Sequence, residues 1–120
     1  MATFEKIWQE QCEAAETIMA RYGQTAAFDY LVGEKLLHYV SAAKDRPEFA
    51  RQLPVFVAGV RRLFPASGIG PQVEALQAKL VERASQDDEI DFDLPSPAHE
   101  ELDSLRQVAD LLLAPNLGVA

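Results

Sequence analysis

Apolar residues return at steps of three and four through most of the chain, a period that favours helices over any other regular structure. From Phe4 the seam runs through Trp8, Ala15, Ile18 and Tyr22, with Gln11 as its one polar member. Ile7, Cys12 and Met19 widen the same face. This spacing puts the side chains on one stripe of an amphipathic helix. Thr3 is a suitable cap before it and Gly23 a suitable stop after Tyr22. From Thr25 a second helix is expected, with Phe28, Leu31, Val32, Leu36, Tyr39, Val40 and Ala43 as a broader apolar face. Gly33 in its middle costs about 1 kcal/mol against alanine, so a close helix contact or a bend is expected there.

The next segments are set by proline. In Asp45-Arg46-Pro47-Glu48, Asp45 is expected to cap, Pro47 to occupy the first turn and Glu48 to reach back. The third helix carries Phe49, Leu53, Phe56, Val60, Leu63 and Phe64, and Pro54 interrupts it. A proline there removes one hydrogen bond and clashes with the preceding turn, which predicts either a kink at Pro54 or a short turn followed by a helix over 54–64. Residues 65–71, PASGIGP, read as a loop. Pro71 then opens a fourth helix striped by Val73, Leu76, Leu80 and Ala84. Ser96 and Pro97 start a last one, striped by Leu102, Leu105, Ala109 and Leu112 and ended by Pro115. The expected fold is therefore all-α: one domain over 1–120, a compact bundle of four to five helices with a short tail at 116–120. A chain of 120 residues is long enough for a core of its own. The apolar surplus at Leu37, Val55, Val57, Leu111 and Leu113 implies helices covered on two sides, or a homodimer.

Charge singles out one region. The formal charge is −8, and eight of the nineteen acids lie in 86–103, which holds no Lys or Arg. The remaining eleven acids face eleven bases, so the whole net charge belongs to that stretch. Direct nucleic-acid binding needs a basic surface and is not expected. No apolar run approaches the roughly 20 residues of a membrane helix. The opening MATFEKIWQEQ lacks the basic and apolar regions of a signal peptide, and a lone cysteine precludes an internal disulfide. A cytoplasmic address is the expectation.

Within 86–103 the segment 86–95 reads as an acidic extended connector. Acids alternate with Ile90, Phe92 and Leu94, which would share one edge of an extended chain. An EF-hand frame starting at Asp87 places acids at loop positions 1, 3, 5 and 7, but Phe92 stands where the turn needs glycine and Ala98 where it needs a bidentate glutamate. A di-iron bundle would need Glu-x-x-His, and neither His38 nor His99 has it. The pairs Glu34/His38 and His99/Asp103 have spacing suited to a mixed zinc site, although His38 falls opposite the apolar stripe. Cys12 beside Trp8 and Ala15 reads as a buried thiol rather than a nucleophile. The SGIGP turn lacks the Lys-Ser/Thr ending of a phosphate loop. Arg46, Arg51, Arg61 and Arg62 are the only basic concentration, with Arg61 and Arg62 serving a helix C-terminus or the group docking the acids of the same chain or of a dimer mate. No catalytic, cofactor or metal residue is therefore assigned.

The expected function is a small non-enzymatic protein-interaction module with a basic protein partner. Its contact residues would be Asp87, Asp88, Glu89, Ile90, Asp91, Phe92, Asp93, Leu94, Glu100, Glu101 and Asp103. A nucleic-acid mimic that inhibits a DNA- or RNA-binding protein is the first alternative, and a small helical enzyme or metal protein the second.

Overall fold

A computed structural model of the chain describes residues 4–90 and 97–114, with backbone only at 87–90 and 97. These residues form five helices and, among the described residues, no strand. Helix α1 is Phe4–Tyr22. Helix α2 covers 24–42 without a break, as an α-helical turn Gln24–Phe28, a π-helical stretch Asp29–Leu36 and a final α-helical part Leu37–Ala42. Helices α3, α4 and α5 are Pro47–Leu63, Ala66–Ile90 and Pro97–Leu113. The all-α bundle expected from the periodicity is the architecture found. No helix among the described residues is long and apolar enough to cross a membrane.

The turns follow their residues. Gly23 ends α1 at φ 97°, a conformation open to glycine, and its N–H bonds to the Met19 carbonyl at 3.0 Å. Thr3 lies outside the described residues. Before α3 the cap is Arg46 rather than Asp45, and no side chain makes a capping bond. Pro47 explains this: it disfavours helical geometry in the preceding residue, and Arg46 sits at φ −128°, ψ 102°. Phe64 before Pro65 is extended for the same reason, at φ −111°, ψ 137°.

Both internal prolines are accommodated inside helices. Helix α3 runs through Pro54, and Pro54 and Ala50, whose carbonyl loses its helical partner, are both exposed to water. The loop expected over 65–71 shrinks to its first residue, because α4 begins at Ala66 and takes in Pro71. Ser67, four residues before Pro71, is exposed, and the Pro65 carbonyl accepts from Gly68 at 2.8 Å and Ile69 at 3.2 Å. Ile69, 2% exposed, supplies the apolar anchor that draws this turn into the helix.

The helices enclose one core. Trp8 meets Phe56 at 5.1 Å and Tyr39 edge-on at 6.0 Å, and Tyr39 stacks on Phe56 at 4.6 Å and Phe49 at 5.6 Å. The polar interruption in the first seam now has a reason: Tyr39 donates its hydroxyl proton to Gln11 Oε1 at 3.1 Å. Leu37 and Val57 are buried, so part of the apolar surplus reflects helices covered on two sides. Val55, Leu111 and Leu113 remain exposed. At the far end of α5, Arg61 donates to the Ala114 carbonyl at 2.7 Å, a cation at a helix C-terminus.

The glycine that leaves no room for a side chain is Gly59, not Gly33. A Cβ at Gly59 would lie 2.5 Å from Trp8 Nε1 and 3.1 Å from Cys12 Sγ, whereas one at Gly33 would meet Leu76 at an ordinary 3.5 Å. Gly59→Ala should therefore destabilise the fold by about 1–3 kcal/mol, with overpacking outweighing its gain in helix propensity. Gly33→Ala should be neutral or stabilising by up to about 1 kcal/mol. Urea unfolding of the two variants beside the wild type checks both signs; an unchanged midpoint for Gly59→Ala would contradict the packing described.

Candidate functional site

The residues expected to form an interaction strip divide into three groups. Asp87, Asp88, Glu89 and Ile90 belong to the last turn of α4, whose helix continues to Ile90. The extended connector expected from residue 86 therefore cannot begin before residue 91, and an edge shared by Ile90, Phe92 and Leu94 loses its first member. Alternation of period two is overridden here by propagation of a helix already anchored at Leu80 and Ala84. Asp91, Phe92, Asp93 and Leu94 lie outside the described residues. Glu100, Glu101 and Asp103 occupy the first two turns of α5, where acids favour the helix dipole. Ala98, at the position where an EF-hand would need its last ligand, is a buried apolar contact, 3% exposed.

Glu100 and Glu101 also open onto a cleft of about 450 Å³ between α2, α4 and α5. One wall is α2, with Asp29 and Glu34 on its π-helical stretch and His38 and Ser41 beyond. The opposite wall carries Lys79 and Arg83 from α4. Leu37, Leu76 and Leu80, each 3% exposed or less, provide apolar surface beneath them. Ser104 completes the lining from α5.

Two ion pairs tie the walls together. Lys79 Nζ lies 2.9 Å from Asp29 Oδ2, and Arg83 Nη1 lies 3.6 Å from Glu101 Oε2. All four side chains are a third or more exposed, so each pair contributes about 1 kcal/mol or less. Their consequence is electrostatic: both cations of the cleft are engaged, while Glu34 and Glu100 have no ion-pair or hydrogen-bond partner among the described residues. Ser104 is wholly buried, and its Oγ likewise lacks a hydrogen-bond partner.

The metal geometry considered from the sequence does not assemble. Glu34 and His38 line the cleft, but His99 and Asp103 do not. Among the described residues no group of three or more His, Cys, Asp or Glu is placed to hold a metal ion. Nor do the α3 arginines meet the described acids: Glu101 takes Arg83 of α4, and Asp103 takes Arg106 one turn away at 4.0 Å. Cys12 is buried as expected, and burial is the main cause that pushes its thiol up to about 11. The Arg62 guanidinium opposes the rise, and Glu16 and Glu13 add to it.

Ser104 was not singled out in the sequence, where a serine on an otherwise polar helical edge looks like a surface residue. The only signal was its position one turn from both Glu101 and Val108, on the edge of the apolar stripe. Comparison with protein families, with curated proteins and with solved structures finds no match.

Two outcomes follow. An orphan buried hydroxyl costs about 1–3 kcal/mol, so Ser104→Ala should stabilise the unliganded protein by about 1 kcal/mol after the lost contacts are counted, read as a higher urea midpoint. A fall instead would mean that the hydroxyl is satisfied in solution. The Cys12 thiol at pH 8 should react with a disulfide reagent on the order of 100-fold more slowly in the native than in the unfolded chain, since the two differ by about two pK units. The native rate should keep rising above pH 9, where the unfolded chain levels off; equal rates at pH 8 would contradict the burial.

Proposed function

We propose that this protein is a small, non-enzymatic, cytoplasmic interaction module whose acidic end receives a basic surface of a partner protein. The observation that carries the reading is the last turn of α4. Asp87, Asp88 and Glu89 sit at the end of a helix whose carbonyls already carry partial negative charge, and that turn holds no basic residue. Acids in such a place oppose the helix that bears them, by roughly 0.3–1 kcal/mol each at low salt. A cationic partner removes that opposition on binding and leaves the helix better formed. Glu100 and Asp103, both exposed on the opening turns of α5, extend the same negative character into the next helix. Asp91 and Asp93 between the two helices add to the charge of the connection. Association driven this way gains mainly in encounter rate and selectivity for positive partners, and weakens as salt rises.

The test is affinity capture with the wild type and with a variant carrying Asp87→Asn, Asp88→Asn, Glu89→Gln, Asp91→Asn and Asp93→Asn. Basic partners should be held by the wild type, released by raised salt and absent from the variant. An identical set of partners on both proteins would sink the reading. Adding duplex DNA to the captured complex tests the first alternative: displacement of the partner by DNA identifies a nucleic-acid mimic, and simultaneous binding excludes it.

A further inference from the structure

We propose that the cleft between α2, α4 and α5 is a binding site for an alkylammonium group, a primary amine on a short methylene chain. Three features on different helices point to the same ligand chemistry. The cleft has a surplus of negative charge, since Lys79 and Arg83 are engaged by Asp29 and Glu101 while Glu34 and Glu100 stay unpaired among the described residues. Its floor is closed by Leu37, Leu76 and Leu80, an apolar setting that suits methylenes rather than a second charge. Ser104 Oγ, wholly buried on α5, is an acceptor with nothing to accept.

An ammonium carries three N–H donors and no acceptor. The cleft lining holds three acceptors to match: the exposed carboxylates of Glu34 and Glu100 and, closed from solvent beneath them, the hydroxyl oxygen of Ser104, which a ligand reaches only by displacing the side chains above it. Glu100 and Ser104 are four residues apart on α5 and so share a face, while Glu34 addresses the cleft from α2 across from them. An inorganic divalent ion fits less well, because no group of three metal-ligating side chains converges among the described residues. An anion would meet the uncompensated carboxylates. A volume of about 450 Å³ lies within the range of small-molecule sites and holds a chain of several methylenes.

The same chemistry has two natural sources, a free aliphatic diamine or the lysine side chain of a protein. The site does not depend on the acidic turn of α4, since Glu34 and Ser104 lie outside it.

The experiment is an NMR titration of the full chain with cadaverine, with Nα-acetyl-lysine N-methylamide, and with 1-pentanol as the uncharged control. Saturable shifts at the amides of Gly33, Glu34 and Ser104 are expected with an amine and not with pentanol. Glu34→Gln and Glu100→Gln should each weaken the affinity by about tenfold or more, as loss of a charge-assisted hydrogen bond does, and Ser104→Ala should weaken it as well. Asp87→Asn/Asp88→Asn/Glu89→Gln should leave it unchanged, so failure here and failure of the acidic-end reading are told apart. Cadaverine alone saturating the site assigns a free amine, and the lysine amide alone assigns a side chain. Saturation by both supports the shared chemistry. Shifts that never saturate, or an affinity indifferent to Glu34→Gln and Ser104→Ala, would overturn the proposal.

Discussion

The indole of Trp8 laid against the bare backbone of Gly59 is the contact on which the bundle depends. It brings α1 and α3 closer than any side chain at position 59 would permit, and Cys12, one turn on, uses the same space. Trp8 also touches Phe56 and Tyr39, so one ring joins three helices. Tyr39 is in turn held by two phenylalanines and by its bond to Gln11. That fixes the rotation of α2 about its own axis. Residues two positions either side of Tyr39 are turned by about 200°, nearly to the opposite face. Leu37 and Ser41 must then look away from α1 and α3, toward the cleft they are found to line.

The π-helical stretch Asp29–Leu36 extends this wall. In an α-helix, residues four apart drift around the axis by about 40° at each step. Bonds that reach five residues along turn the chain less per residue and offset that drift. Asp29, Gly33, Leu37 and Ser41 thus stay aligned along one side of α2, and all four line the cleft. The arrangement lets Asp29 reach Lys79 at one position while Glu34 and His38 remain on the same wall further along. Gly33 has a role here that differs from close packing: it keeps the wall low above Leu76.

Much of the fold was legible because local chemistry and tertiary structure agree. The seam from Phe4 to Ile18, the stop at Gly23, the start at Pro97 and the buried stripe Leu102–Leu105–Leu112 appear where periodicity and capping put them, while Tyr22, the last member of the first seam, is exposed. Gln11 was visible as an exception, but its partner Tyr39 is 28 residues away and could not be named. The failures share one cause. Residues 65–71 and 86–90 have loop-like composition, yet α4 takes in most of the first stretch and all of the second, held by Ile69 at one end and Ala84 at the other. Propensity is a weak term, and a few buried anchors override it. Gly59 and Gly33 look alike in sequence; only the position of Trp8 tells them apart. Ser104 was missed for the same reason, since burial of a hydroxyl is decided by the helices around it.

Acids occupy the end of α4 and the start of α5, where the helix dipole has opposite signs. The first turns of α5 hold Glu100 and Glu101 where the helix dipole welcomes them, and Glu101 gains Arg83 besides. The last turn of α4 holds Asp87, Asp88 and Glu89 against its own dipole. Equal charges thus have unequal standing: acids favour a helix at its first turns and oppose it at its last. A second division runs through the cleft, where Asp29 and Glu101 are satisfied by cations and Glu34 and Glu100 are not. What the cleft leaves without a partner among the described residues is the negative charge of Glu34 and Glu100, beside helical structure that is otherwise complete. The cleft is separate from the Trp8–Gly59 crossing and its aromatic stack, which lie on the other face of α2.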